Sequence, residues 1–495
     1  MSATGTALLT IAENTPDVIS VKGGEAVVSD ITHDSRQVRE GTLFVAIAGE
    51  HFDGHDFIPS ARDMGATALL VEHPIPGSIP QIVVRDSRAA MAWAARAVFG
   101  SPDASMRVAG VTGTNGKTTV TYMVESILRA SNTSVGVIGT LGARVNGVPI
   151  PTSRTTPEAS DLQRLLGTMR DTGVEMVMME VSSHAIALHR SDAISFAVVG
   201  FTNLSRDHLD FHGDMESYFE VKRRLFRSQV ADTSVVNIDD PWGSRLVSGL
   251  RMPVTTVSTA TSADISASDL VGSPDGTSFD VQTPIGGTLV RLPLAGGFNV
   301  SNALVAIGIA IDVGVGLEAV AEGLSQLNPI AGRMEIIRHT GPFTAIVDYA
   351  HTPDAIQAVL QAVGGMAPAR VISVIGAGGE RDEDKRSLMG GAAARSSSVV
   401  IITTDNPRSE DPASIAAEVR RGALLQGGAE VVTVLDRSAA ICRAIDIAQK
   451  GDIVMVLGKG HEQGQDVGTE ILPFDDRQAT IAALADAGWE TAWKR

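Results

Sequence analysis

One cysteine, Cys442, stands in 495 residues, so no intrachain disulfide can form, and neither a cysteine zinc site nor an iron–sulfur cluster can be built from this chain alone. A reducing compartment fits. Basic side chains are also scarce. Forty against 57 acidic ones give a net charge of −17, which repels polyanions at long range and argues against a nucleic-acid binder held by a broad basic face. It leaves room for a phosphate-bearing small molecule in one local pocket. No uncharged apolar run approaches the ~20 residues of a bilayer span, and Met1-Ser2-Ala3-Thr4-Gly5 lacks a basic stretch ahead of an apolar one. No membrane span and a cytoplasmic location are therefore expected. Low-complexity segments and internal repeats are absent too. What is present is 44% hydrophobic with 50 glycines, which suits large cores and many tight strand-to-helix turns. At ~150 residues per domain the length gives about three domains.

Strand-like and helical patterns alternate along the chain, which predicts an α/β protein. From 26 to 100, β-type runs at 26–28, 42–46, 68–71 and 81–84 alternate with helical stretches near 56–64 and 87–99. Gly100-Ser101-Pro102-Asp103 reads as a linker. A central unit follows, with strands at 107–112, 134–139, 175–181 and 196–202 and helices at 117–130, 158–172 and 214–227, as in a mostly parallel sheet covered by helices. Pro274-Asp275-Gly276 and Ile285-Gly286-Gly287 lie between alternating apolar and polar residues and read as β-hairpins inserted before a helix starting near Asn302. Pro329-Ile330-Ala331-Gly332 breaks the pattern. Beyond it a third, Rossmann-like α/β unit has strands at 343–348, 370–375, 398–404, 430–434 and 452–457. The expected domains are 1–102, 103–331 and 332–495.

The strongest local motif is the apolar strand before Gly113-Thr114-Asn115-Gly116-Lys117-Thr118-Thr119, which opens a helix. Backbone N–H groups there can surround phosphate oxygens at the positive helix end, Lys117 neutralises charge, and Thr118 offers a hydroxyl to Mg²⁺. The spacing departs from the usual phosphate loop, since Val111 stands where a glycine is wanted. Magnesium at a phosphate needs a carboxylate as well, and Glu180, ending the run Val177-Met178-Met179, would emerge at the C-terminal edge of the sheet. The segment from Phe201 to Gly213 carries His208 and His212 four apart with Asp207 and Asp210; it reads either as a metal cluster or as a polar loop with satisfied histidines. Ser182, Ser183 and His184 lack a G-x-S-x-G elbow, so a hydrolase triad is set aside.

Together Gly113–Thr119, Glu180-Val181-Ser182-Ser183-His184 and Thr202-Asn203-Leu204-Ser205-Arg206-Asp207-His208-Leu209-Asp210-Phe211-His212-Gly213 resemble the Mur ligases, ATP-dependent amide-forming enzymes of peptidoglycan synthesis. The resemblance continues through Asn299-Val300-Ser301-Asn302-Ala303, Gly332-Arg333-Met334-Glu335, Asp348-Tyr349-Ala350-His351-Thr352-Pro353 and Asp405-Asn406-Pro407-Arg408. It implies three domains, for a UDP-sugar, for ATP and for an incoming amino acid. It also implies transfer of the ATP γ-phosphate to a carboxylate, attack of an amine on the acyl phosphate, and release of ADP and phosphate. By the same resemblance Lys117 offsets charge, Thr118 and Glu180 hold one Mg²⁺, and His208 contributes to a second. Lys222 matches the family lysine that carries a carbamate, which would help organise that second metal. Gly113 through Thr119, Asn299, Asn302, Arg333, Asp348 and His351 are the implied ATP contacts. Asp34-Ser35-Arg36, with Ser35 as the contact, Thr155, Thr156, Ser182 and Arg190 match positions for the UDP-linked substrate, although Leu188 stands where some relatives carry a glutamine.

Asp405-Asn406-Pro407-Arg408 resembles the form of this motif in family members that add meso-2,6-diaminopimelate to the D-glutamate side chain of UDP-N-acetylmuramoyl-L-alanyl-D-glutamate. A guanidinium grips the extra carboxylate of that amino acid with paired hydrogen bonds, which lysine cannot satisfy. Arg381, Gly458 and Glu462 match the remaining contacts, Glu462 being suited to an ammonium group. The expected partners are the UDP-linked dipeptide, meso-diaminopimelate and ATP with Mg²⁺, without nucleic acid, and the expected state is a monomer. The alternatives are a lysine-adding or folylpolyglutamate-type ligase, or a silent binding protein. The last would be expected to lose Lys117, Glu180, His208 or Lys222, and all four are present.

Overall fold

In the computed structural model, which describes residues 5–49, 52–152, 154–273 and 276–491, three larger sheets follow one another along the chain. The first has the strand order Val18–Lys22, Gln81–Val84, Ala68–Val71, Thr42–Val45, Asp30–Thr32, parallel except at its first edge. The runs 42–45, 68–71 and 81–84 are buried throughout, as unbroken apolar strands are when both sheet faces are covered. The antiparallel edge Val18–Lys22 escaped the sequence pattern because it is half solvated, with Ile19 exposed. The expected linker is instead a fixed corner. Ser101 takes a left-handed turn (φ 51°), and the buried Asp103 carboxylate accepts from Arg96 Nε at 2.8 Å and from Ser195 N at 3.1 Å, tying the first unit to the second.

The central sheet has eleven strands, in the order Val148–Ile150, Gly142–Val145, Val135–Gly139, Met176–Glu180, Arg107–Thr112, Phe196–Phe201, Ala231–Asn237, Val254–Ser258, Ile265–Ser273, Gly276–Thr283, Gly286–Leu292. The chain builds one side of Arg107–Thr112 and then the other, so a topological switch falls at the strand that leads into the phosphate loop, where open α/β sheets bind ligands. The predicted hairpins form, but as the far edge of this sheet rather than as a separate insertion: Ile265 pairs parallel with Val257, and Phe279, Val281 and Val290 enter the same core as the helix Gly297–Asp312. The Pro274-Asp275 tip of the first hairpin lies outside the described residues. That helix begins at Gly297, ahead of Asn302, because Gly296 (φ 100°) turns the chain and its carbonyl already accepts from Asn299 N.

In the third sheet the order is Glu335–Ile337, Thr344–Asp348, Ile453–Leu457, Val371–Ile375, Val399–Ile402, Glu430–Thr433, parallel except at Glu335–Ile337. Strands 371–375, 399–402 and 430–433 step outward and 453–457 returns to the other flank of 371–375, the reversal expected of a Rossmann-like unit. The crevice between the C-terminal ends of 371–375 and 453–457 is where Gly376–Arg381 and Gly458–Glu462 emerge. No helix among the described residues is long and apolar enough to cross a membrane.

Candidate active site

The loop after Arg107–Thr112 curls because two glycines allow it. Gly113 (φ 151°) and Gly116 (φ 89°) lie in the left-handed half of backbone space. A Cβ would meet Thr202 Oγ1 at 1.9 Å in the first and Asn302 Oδ1 at 2.2 Å in the second. Gly116 precedes the helix Lys117–Ala130 without a side-chain cap, so the first amide donors stay available to an anion. Lys117 Nζ lies across the loop, donating to Gly113 O (2.9 Å) and Thr114 O (2.8 Å). Burial lowers its pKa, against the raising pull of Glu180 and Asp207.

Glu180 ends its strand as expected and is buried. Its Oε2 accepts from Thr118 Oγ1 (3.1 Å) and Thr140 Oγ1 (2.9 Å), and its Oε1 from Thr140 N (2.8 Å). Thr118 and Glu180 thus present a hydroxyl and a carboxylate side by side at the phosphate loop, hard oxygen donors suited to Mg²⁺ together with phosphate oxygens. Among the described residues no three His, Cys, Asp or Glu side chains converge on one metal position, so 201–213 does not form an all-protein cage. His208 begins a short helix with φ 55°, its ring edge partly open to solvent, and its pKa is pushed down to about 3 by burial despite Asp207; the imidazole is neutral at pH 7. Lys222 is wholly buried, donating to Gly113 O at 2.9 Å and to Thr112 Oγ1 at 3.4 Å, with its amine 4.7 Å from the Tyr218 ring centre. Burial, with Lys117 nearby, holds its pKa well below the ordinary lysine value. A lowered pKa favours the uncharged amine, the form that can take up carbon dioxide, which is the chemistry the implied carbamate requires. His212 Nε2 sits 2.9 Å from Ser183 Oγ, but Ser183 is buried and unavailable as a nucleophile.

Of these groups Lys117, Thr118, Glu180 and His208 face a cavity of about 1130 Å³ at the meeting of the central and third units, lined also by Thr114 through Gly116, Thr119, Asn299, Asn302 and Arg333 among others; Gly113, Lys222 and His212 are not part of its lining. Arg333 arrives from the third unit, its Nη2 3.3 Å from Thr118 Oγ1. Asn302 Nδ2 donates to Asn299 Oδ1 (3.3 Å), and Asn299 Nδ2 to Ala295 O (2.9 Å), on the helix opposite the loop. Asp348 borders the cavity, but its oxygens are taken by backbone amides, Oδ2 by Met334 N (2.7 Å) and Oδ1 by Ala350 N (2.8 Å), so it braces the turn that presents Arg333. His351 turns Nε2 toward Asp207 at 3.8 Å.

Of the residues matched to the UDP-linked substrate, Thr155, Thr156, Ser182 and Arg190 line the cavity, and Ser35 does not. Ser35 sits on a short turn in the first unit, capped by Asp34. Thr156 Oγ1 donates to the Glu180 backbone carbonyl (2.8 Å) and Thr155 Oγ1 lies 3.1 Å from Thr140 Oγ1, so this wall reaches the Glu180 carboxylate through Thr140. Arg190 is buried against Glu158 at 2.8 Å.

The residues matched to the amino acid gather at the crevice of the third sheet; only Arg381 also lines the large cavity, 3.9 Å from Asp210. Asn406 Nδ2 donates to Glu462 Oε2 (2.9 Å), and the enclosed Lys459 Nζ bridges Asn406 Oδ1 (2.8 Å) and Glu462 Oε2 (3.0 Å). Gly458 lies where a Cβ would be 2.6 Å from Asp405 Oδ2, and a Cβ on Gly379 would meet Pro407 O at 2.0 Å. Two expectations change here. Arg408 donates to Gly379 O and lies 3.6 Å from Asp466, so it is not left without partners when a second carboxylate is missing. Glu462 is already shared with Lys459, so an incoming ammonium joins an existing pair.

Sequence reasoning passed over Thr140 and Lys459, and weighed Asp207 only as part of a possible metal cluster. Burial alone would raise Asp207, yet His351, His208 and Lys385 (3.4 Å) hold it well below the usual carboxylate range. Thr140 carries no motif. Lys459 lies between Gly458 and Glu462, both matched in the sequence, but its enclosure is a tertiary property.

Three linked α/β units with a phosphate loop at a topological switch, and a basic side chain delivered to it from the next unit, define a multidomain nucleotide-loop enzyme class. Residues 27–99 match the Mur ligase family catalytic domain, 111–310 the Mur ligase middle domain, and 332–460 the Mur ligase glutamate ligase domain. The UDP-N-acetylmuramoyl-L-alanyl-D-glutamate–2,6-diaminopimelate ligase of Streptomyces coelicolor is 42% identical over 477 residues, 94% of either chain, and that of Geobacillus thermodenitrificans 40% over 487 residues, 97% of this chain and 99% of that one. A solved structure of such a ligase superposes with a TM-score of 0.70 at 31% identity, covering 98% of this chain and 100% of the other. MurF from Acinetobacter baumannii shares the fold, with a TM-score of 0.70 at 21% identity, covering 98% of this chain and 99% of that one. The chain belongs to the Mur ligase family.

Proposed function

We infer that this chain is an ATP-dependent ligase that joins meso-2,6-diaminopimelate to the D-glutamate side-chain carboxylate of UDP-N-acetylmuramoyl-L-alanyl-D-glutamate in peptidoglycan synthesis. Units 1–102, 103–331 and 332–495 serve the UDP-linked substrate, ATP and the amino acid in turn, and the setting is cytoplasmic. The observation that carries the reading is that Lys117, Thr118, Glu180, His208 and Arg333 face one cavity from two units. A carboxylate is a poor acyl donor, and phosphorylating it turns one oxygen into a leaving group. That step brings two anions together, and Lys117 and Arg333 offset the charge between them. Thr118 and Glu180 would hold one Mg²⁺, and His208 with Lys222 as its carbamate a second; bound there, the ions supply further charge neutralisation. Thr155, Thr156, Ser182 and Arg190 orient the acid, while Asn299, Asn302 and His351 border the nucleotide. Arg381, Arg408 and Glu462 hold the amino acid, with closure of the third unit keeping water from the acyl phosphate. The test is ADP release and peptide extension by the purified chain with ATP, Mg²⁺ and the UDP-linked dipeptide. Meso-diaminopimelate should support both, L-lysine far less, and failure of both amino acids would end the reading.

A further inference from the structure

The guanidinium of Arg333 has few fixed partners for a group that must meet a phosphate: its own neighbour Gly332 O at 3.0 Å, Thr118 Oγ1 at 3.3 Å, and the face of Tyr349, whose ring centre lies 4.5 Å from the guanidinium carbon. The ring is the broadest of these surfaces, and it is itself held. Tyr349 N donates to Gly332 O at 2.9 Å, and its ring is flanked by His351 at 4.5 Å and His461 at 4.9 Å between centres. Behind it, Gly460 (φ 55°) comes so close that a Cβ there would meet Tyr349 Cβ at 2.8 Å. Gly332 (φ 63°) is pressed as tightly on the same loop, where a Cβ would meet His461 N at 2.4 Å. Both glycines therefore serve a close approach between the turn carrying Arg333 and the loop carrying Glu462. Among the described residues the Tyr349 hydroxyl makes no hydrogen bond.

We propose that Tyr349 is the positioning residue of Arg333: its ring face holds the guanidinium at the phosphate loop, and the loop 458–462 backs the ring, so the amino-acid and phosphate sides of the site share one wall. The inference rests on the reading of Arg333 as a phosphate contact. It requires the ring and not the hydroxyl, because a cation is drawn to the π face.

The experiment is single-turnover ADP release from ATP, Mg²⁺ and the UDP-linked dipeptide without amino acid, with thermal melts for every variant. Tyr349→Phe should stay within about twofold of the parent, and Tyr349→Met should lose about fivefold or more, as expected for a half-buried cation–π contact. The KM of the UDP-linked substrate should hold steady in both. In an Arg333→Met background, adding Tyr349→Met should bring no further loss, since the two act as one unit. Equal rates for the Phe and Met variants, or a full additional loss in the Arg333→Met background, would overturn the proposal. Full ADP release by Arg333→Met alone would instead remove the reading beneath it. If Tyr349→Met does not fold, Tyr349→Leu decides by the same readings.

Discussion

Arg206 of the central unit grips Asp382 of the third with two hydrogen bonds, Nε to Oδ2 at 2.7 Å and Nη2 to Oδ1 at 2.9 Å, and adds Asp384 at 3.2 Å. Lys385 reaches Asp207 beside them. The Arg206 pairs are partly open to solvent and weaken as salt screens them, while the Lys385–Asp207 pair is buried and is screened less. Arg206→Glu should place like charges together and open the junction. A larger radius of gyration by small-angle scattering, with kcat lowered more than the KM for the UDP-linked substrate, is the expected outcome; an unchanged radius would show that the pairs do not hold the units together.

Arg408→Ala should raise the KM for meso-diaminopimelate by about one to two orders of magnitude, the scale of a lost charge-assisted pair, and leave the KM for the UDP-linked substrate nearly unchanged. Since Arg408 already touches Gly379 O and Asp466, part of the loss should be loop order, so Arg408→Lys should recover only a fraction. Steady-state titration of each substrate separates these effects, and equal loss for both would contradict the role.

Lys222→Ala should abolish turnover. Added bicarbonate should not restore it, whereas a short-chain carboxylate such as acetate, entering the space the side chain leaves, should restore a measurable fraction. Mass spectrometry of the native parent for a carbon dioxide adduct gives an independent reading.

His461 links acidity to stability. Burial pushes its pKa down to about 3, with Arg333, Arg477 and His351 adding to the shift. In the unfolded chain an imidazole gains its proton near pH ~6.5. Between those values acid favours the unfolded state, so the folded protein loses stability as pH falls from about 7 toward 3, by at most about 1.4 kcal/mol per pH unit from this one group. His461→Gln should flatten the melting temperature between pH 7 and 4; an unaltered slope would assign the acid sensitivity elsewhere.

Thr140→Val removes the hydroxyl that donates to Glu180 Oε2 and keeps the amide that donates to Oε1. The Mg²⁺ concentration for half-maximal activity should rise severalfold while the KM for meso-diaminopimelate stays unchanged, measured by titrating each in turn.

The glycine loop and Glu180 could be found in the sequence because the chemistry narrows the residue types, whereas His208 and Arg333 are reached only through the resemblance to the Mur ligases. Phosphate needs close backbone and a lysine, and a magnesium carboxylate belongs at a strand end. The fully buried strands such as 371–375 and 453–457 could be found for a related reason, since burial on both faces demands an unbroken apolar run. Val18–Lys22 could not, because an edge strand facing water writes no such pattern. Nor could the capture of Asp348 by Met334 N and Ala350 N, which depends on how a turn closes in space.

The sequence alone therefore determined the local chemistry: which segments extend or coil, where the chain must be glycine, and which side chains carry charge to a phosphate. Those properties depend on neighbours along the chain. Only the tertiary structure decided that Arg206 meets Asp382, that Arg333 rests on Tyr349 above Thr118, and that Lys459 is enclosed between Asn406 and Glu462. Such pairings join distant segments, and the packing of three sheets against one another selects them.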